Sequence, residues 1–298
     1  MTAVGKIIWP KELDAIAADA VDGAISELSG FHLLANDEMD AGYHADYLIK
    51  HRHEYVRTVR DVLKFRPVTD SPVKVLEIGA FFGVVCIALA TLGYEVTAAD
   101  VPEYIELSEQ VERYARYAIA TKGVRLEDFV MPFNDEQFDV IIMCEVMEHL
   151  NFNPLPLLKE INRIGAAGSI FYLSMPNAAS LFNRIWCMRG NTNGVKIREF
   201  FAQLDASDAL IANGHWREYN GAETREILER LGYRIKHQYF FSLGETLPLK
   251  SWKSWLFRRI LKHWPTLKEN QTTIAIREKR TELVFDIPAT VHRTLRRL

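Results

Sequence analysis

The stretch VKVLEIGAFFGVVCIALATLGYEVTAAD (73–100) constrains this chain more than any other. VKVLEIG (73–79) reads as a buried strand, GVVCIALATLG (83–93) as an apolar helix closed by Gly93, and YEVTAAD (94–100) as a second strand. Strand, helix and strand in direct succession make a right-handed crossover between parallel strands. Parallel sheets are covered on both faces, so their strands are apolar throughout rather than alternating. The pattern continues. A helix starting at Pro102 spans 102–118, with proline in the first turn where its missing N–H is harmless. GVRLEDF (123–129) is a weak third strand, FDVIIMCEV (138–146) a strong fourth, 154–164 a helix and GSIFYLSMP (168–176) a fifth strand. ETREILERLGY (223–233) is an amphipathic helix closed by Gly232, and YRIKHQYFFS (233–242) and QTTIAIREK (271–279) complete a set of seven strands. The expected fold is α/β, a doubly wound and mostly parallel seven-stranded sheet.

Helical spacing over 11–29 and 43–66 adds two helices before the sheet, and Pro67 with TDSP (69–72) reads as a linker. The expected organisation is an N-terminal helical segment (1–72), a core domain (73–280) carrying an insertion at 247–268, and a tail (281–298). Hydrophobic residues make up 48% and charged ones 25%, which excludes wholesale disorder. No apolar run is long enough to span a membrane. The first residues lack a compact apolar core followed by a small-residue cleavage site, so the expectation is an unprocessed, cytoplasmic chain. Cys86, Cys144 and Cys187 form no CxxC pair, which suits a reducing compartment and argues against a thiolate zinc site.

An open α/β sheet binds its ligand beyond the carboxyl ends of its strands. The first strand ends in Glu77-Ile78-Gly79-Ala80-Phe81-Phe82-Gly83, and the second ends in Asp100, 23 residues after Glu77. Glycines at the turn let a ligand approach the backbone, and an acidic strand end can accept both hydroxyls of a ribose. The alternative for the glycine pair alone is a tight strand-to-helix packing turn. A nicotinamide fingerprint would need a glycine where Phe81 stands.

VLEIGAFFG, TAAD and MPFNDEQFDVIIMCEVMEHL, in this order and spacing, resemble the class I S-adenosylmethionine-dependent methyltransferases over about residues 73–240. The resemblance implies the Rossmann-like methyltransferase fold and S-adenosyl-L-methionine as cofactor. It implies that Glu77, Gly79 and Gly83 hold the methionine part and Asp100 the ribose. Asp128, or else Glu127, would meet the adenine amino group, with Phe129 near the ring. Phe81-Phe82 departs from the family, which has a glycine and a small residue there.

Methyl transfer to a hydroxyl needs in-line alignment and removal of a proton. Glu145, Glu148 and His149, in CEVMEHL (144–150), follow the fourth strand, and His215 lies 66 residues beyond His149. Glu-x-x-Glu-His with a later histidine resembles two branches of the family, the ubiquinone-pathway O-methyltransferases and the small-RNA 3′-end 2′-O-methyltransferases. That resemblance implies a divalent ion, Mg2+ or Mn2+, on Glu145, Glu148, His149 and His215. The alternatives are His149 and Glu148 as metal-free catalytic groups, or a structural turn with His215 capping the next helix. Tyr43 and His44 are candidates for a lid over the acceptor, and Lys196, Arg198 and Phe200 for its pocket. The expected activity is O-methylation of a sugar, glycolipid or small polar metabolite. The alternatives are an aromatic or lipid-quinone hydroxyl as acceptor, or a non-catalytic binding protein on the same fold.

Net charge is −3, but residues 249–298 hold 12 basic and 4 acidic residues while the remainder holds 24 and 35. LPLKSWKSWLFRRILKHWPTLK (247–268) mixes tryptophan with Lys and Arg, the composition of an interfacial helix. An anionic membrane surface, with the chain at its inner face, is the expected partner of this segment. The alternative is a packed helix with a solvated basic side. The acidic body argues against nucleic acid.

Overall fold

In the computed structural model, residues 10–28, 41–195, 197, 214–242 and 252–284 are described. Seven strands form one sheet in the order β3-β2-β1-β4-β5-β7-β6. They are β1 (Lys74–Ile78), β2 (Glu95–Asp100), β3 (Ala120–Gly123), β4 (Phe138–Cys144), β5 (Gly165–Pro176), β6 (Tyr233–Phe241) and β7 (Asn270–Arg277). β2 is parallel to both β1 and β3, while β7 runs antiparallel to both β5 and β6. The expected mostly parallel seven-stranded sheet is therefore present.

The chain divides into two compact units, Met1–Val124 with Phe138–Ile142, and Arg125–Gln137 with Met143–Leu298. In the first unit, α1 (Pro10–Glu27) packs on α2 (Ala41–Phe65) and on α3 (Val84–Thr91). Every residue of α3 from Val84 to Leu89 is buried, which explains its apolar composition. The expected single helix over 102–118 is broken into α4 (Pro102–Ile105) and α5 (Ser108–Arg116), because Leu107 between them takes an extended ψ of 132°. The third strand is Ala120–Gly123, not 123–129. Residues Leu126–Asp128 form a 3-10 turn, and Phe129 ends it at φ 54°.

In the second unit, α6 (Leu155–Ile164) precedes β5, and the Arg163 guanidinium on α6 binds Asp135, Glu160 and the carbonyls of Met131 and Phe133. That network holds the segment entering β4. α7 (Leu181–Met188) follows β5. α8 (Gly221–Arg230) starts with a full capping box, in which the Asn220 side chain takes the N–H groups of Ala222 and Glu223 and Glu223 answers the Asn220 N–H. α9 (Trp252–His263) lies in the basic insertion. β7 carries several polar residues into the core, and the fold supplies partners for them. Gln271 donates to the Tyr219 carbonyl at 2.6 Å, and Thr272 donates to Ser174 at 3.3 Å.

Candidate functional site

In the first unit the turn between β1 and α3 is built for close approach. Gly79, Phe81 and Gly83 alternate at positive φ, 75°, 44° and 71°. A Cβ on Gly83 would lie 2.2 Å from the Tyr114 hydroxyl, so only glycine fits. Phe81 adopts the conformation of the glycine it replaces, at a strain of about 1–2 kcal/mol. Its ring rests on Phe82, Tyr104 and Tyr47, and its carbonyl takes the Gln110 amide at 2.8 Å. Asp100 closes the turn, since its two carboxylate oxygens accept the Phe81 and Val101 N–H groups, each at 2.7 Å. Each oxygen keeps a further lone pair for a ligand hydroxyl.

Glu77 is buried, and one carboxylate oxygen accepts the Cys86 thiol at 2.8 Å. Burial pushes its carboxyl up to about 7, the Cys86 hydrogen bonds pull it back, and the Asp100 charge adds to the rise. Burial also raises Asp100, against the two backbone donors. The carboxyl ends of β1 and β2 therefore hold acidic groups that are costly to ionise unless a cation arrives.

In the second unit the chain turns sharply after β4. Glu145 sits at φ 52°, its N–H held by the Ser174 carbonyl at 2.9 Å, and Met147–His149 form a 3-10 turn. This geometry ends the strand at Cys144, two residues before the sequence reading placed it. Residues 214–217 are fastened to the turn, since the Glu148 carbonyl accepts the Trp216 N–H at 2.8 Å. As a result Glu148, His149 and His215 each present a donor atom within 4.8 Å of the others. Glu148 is fully buried, and neither of its carboxylate oxygens has a well-formed hydrogen bond among the described residues. Burial pushes its pKa up, opposed by its own backbone N–H, by the His215 charge and by the Glu145 side chain. His149 Nδ1 faces the Gly214 carbonyl at 3.3 Å, and a carbonyl can only accept, so that nitrogen carries the proton. Burial lowers the His149 pKa, and the His215 charge lowers it further. His215 Nδ1 is 3.0 Å from Glu218, whose other oxygen takes the Asn183 amide at 2.7 Å. His149 thus directs an unprotonated Nε2 away from its anchor and toward Glu148, 3.9 Å away.

Of the sequence-predicted ion ligands, this trio holds three, and Glu145 is not in it. The cap of α8 is Asn220, so His215 does not cap that helix. Asp128 closes the 3-10 turn Leu126–Asp128, half-buried with Glu127, and the Phe129 ring meets Phe152 edge-on at 5.1 Å. The side chains of Tyr43 and His44, and residues Lys196, Arg198 and Phe200, lie outside the described residues.

The methyltransferase-domain family matches residues 48–238, well over half of the chain. The chain belongs to the class I S-adenosylmethionine-dependent methyltransferases. Its fold is similar to a chain of the complex between the Haloferax volcanii Trm112 methyltransferase activator and a methyltransferase, at 17% identity and TM-score 0.51, covering 90% of this chain and 98% of that one. It is also similar to an S-adenosylmethionine-dependent methyltransferase from Archaeoglobus fulgidus, at 17% identity and TM-score 0.47, covering 78% and 99%. At these identities the likeness is one of fold. The sequence matches no curated protein.

For a methyltransferase of this class, sequence reasoning missed the residues that hold the motif residues in place. Tyr114 and Gln110 support the β1–α3 turn from α5, Cys86 supports Glu77 from inside α3, and Glu218 with Asn183 orients His215. None carries a local signal, because each meets its partner only through the fold.

Proposed function

We propose that this methyltransferase methylates a hydroxyl of a sugar, glycolipid or other small polar metabolite, and that Glu148, His149 and His215 act on the acceptor oxygen. The observation that carries the reading is the trio of facing ligand atoms, two imidazoles with Nδ1 engaged and one fully buried carboxylate that faces His149 Nε2 at 3.9 Å. A carboxylate acceptor needs no such device, and an amine gives up its proton far more readily than an alcohol, which is almost wholly protonated at neutral pH. The cofactor reading places its methionine part on Glu77, Gly79 and Gly83, its ribose on Asp100 and its adenine by Asp128 and Phe129. The ammonium of the methionine part would favour the ionised form of Glu77 that burial opposes.

The trio also fits a divalent ion, since a buried carboxylate beside two oriented imidazoles is a common ligand set. His149, His215 and Glu148 would hold it, with Glu218 and Asn183 fixing the His215 ring. Such an ion lowers the pKa of an alcohol that it meets. Imidazole nitrogen suits manganese better than magnesium. In the absence of an ion, His149 Nε2 accepts the hydroxyl proton, and Glu148 faces it at 3.9 Å to balance the charge. The test is dialysis against EDTA followed by calorimetric titration with Mn2+ alone and by assay. Stoichiometric binding that disappears in His215→Ala, with activity restored by the metal, supports the ion-bound form. No binding and unchanged activity supports the metal-free base.

A further inference from the structure

The segment 246–268 contains no acidic residue and five Lys or Arg between 250 and 262. On α9 one described face is turned outward and carries large apolar side chains. Trp255 is 50% exposed, Leu256 42%, and Trp264 just beyond the helix 59%. Arg259 and Lys262 are exposed beside them, with the Arg259 guanidinium 5.3 Å from the centre of the Trp255 ring. Leu261 is buried and anchors the helix. The 3-10 turn after α9 is held by Asn177, whose amide donates to the carbonyls of Thr266 and Lys268, each at 2.8 Å. The Asn177 carbonyl accepts the Asn183 amide from α7, which itself exposes Phe182 and Met188.

We propose that α9 seats this methyltransferase on an anionic lipid surface, with Trp255, Leu256 and Trp264 entering the headgroup boundary and Arg259 and Lys262 meeting phosphates. Tryptophan with basic side chains on one short helix suits that boundary, where the ring is half in hydrocarbon and the cation stays wet. Charge complementarity favours lipid over a nucleic-acid groove. Outside residues 249–298 acidic residues outnumber basic ones by 35 to 24, so a polyanion wrapping the chain would be repelled, whereas a flat surface can be met by the basic helix alone. The inference does not depend on which hydroxyl is methylated.

Flotation of the full chain with phosphatidylcholine vesicles, with and without phosphatidylglycerol, tests this. The expected result is co-flotation with the anionic vesicles only, lost at high salt. The double variant Arg259→Glu and Lys262→Glu should lower partitioning by about tenfold or more. The double variant Trp255→Ser and Leu256→Ser keeps every charge and should lower it by a similar factor, which separates insertion from simple charge attraction. S-adenosylhomocysteine affinity equal to wild type shows that both variants fold. No flotation with anionic vesicles, or flotation unchanged in both folded variants, overturns the proposal. Displacement from the vesicles by a single-stranded oligonucleotide that binds through the same residues overturns it as well.

Discussion

His149→Ala should lower the rate of methyl transfer by about 10²–10⁴ while leaving S-adenosylmethionine affinity unchanged. The ring is oriented through Nδ1 and the Gly214 carbonyl, and its Nε2 lies 3.9 Å from Glu148, in the cluster that includes His215. As proton acceptor or as ion ligand, that nitrogen has no substitute on the 3-10 turn, since Met147 is buried and apolar and Glu148 is already part of the trio. Glu218→Gln should act more weakly and through His215 alone, because it keeps the shape and loses the charge that holds the Nδ1 proton. The measurement is kcat under saturating cofactor, with affinity read by calorimetry on the same preparations. A His149→Ala enzyme that keeps more than about a tenth of the rate would make the turn structural and point to an acceptor that needs no base.

Gly83→Ala should destabilise the chain by roughly 3 kcal/mol and abolish cofactor binding. Two effects add. The residue sits at φ 71°, where a Cβ is strained, and the new carbon would lie 2.2 Å from the Tyr114 hydroxyl and 2.6 Å from its ring. Tyr114 cannot swing away, because it is fully buried and its hydroxyl is held by Gln110 at 3.2 Å. The ring must move into the core or the loop must lift. Lifting the loop would break the Phe81 N–H bond to Asp100 and misplace the proposed ribose site. Thermal denaturation and titration with S-adenosylhomocysteine check this together. A Gly83→Ala variant with wild-type melting and affinity would mean that the loop is not the close-approach turn described.

The sequence was most legible where burial on two faces forces one reading. β1 and β4 are buried along nearly their whole length, so apolar runs betray them. β3 escaped because Ala120–Gly123 is a four-residue edge strand with no large apolar side chain, while the apolar residues nearby, Leu126 and Phe129, belong to the turn that follows. The break at Leu107 was hidden by apolar spacing that runs on across it. In the site, Glu77, Asp100 and His149 could be found because each directly follows an apolar strand or its turn. The clustering of His215 with Glu148 could only be guessed from a family pattern, since it depends on the Trp216 and Gly214 backbone reaching the 3-10 turn. The roles of Glu218 and Asn183 had no signal at all, because their meeting is set by β5, α7 and the segment before α8.

Transfer of a labelled methyl group from S-adenosylmethionine into an extract of polar metabolites and glycolipids, with the product isolated and its mass and linkage determined, distinguishes hydroxyl transfer from transfer to nitrogen or to a carboxylate. The account predicts one dominant product heavier by a single methylene group, with the label in an ether that resists mild base, and no such product from His149→Ala. Label recovered on nitrogen, or in an ester released by mild base, would contradict hydroxyl transfer by the Glu148–His149–His215 trio.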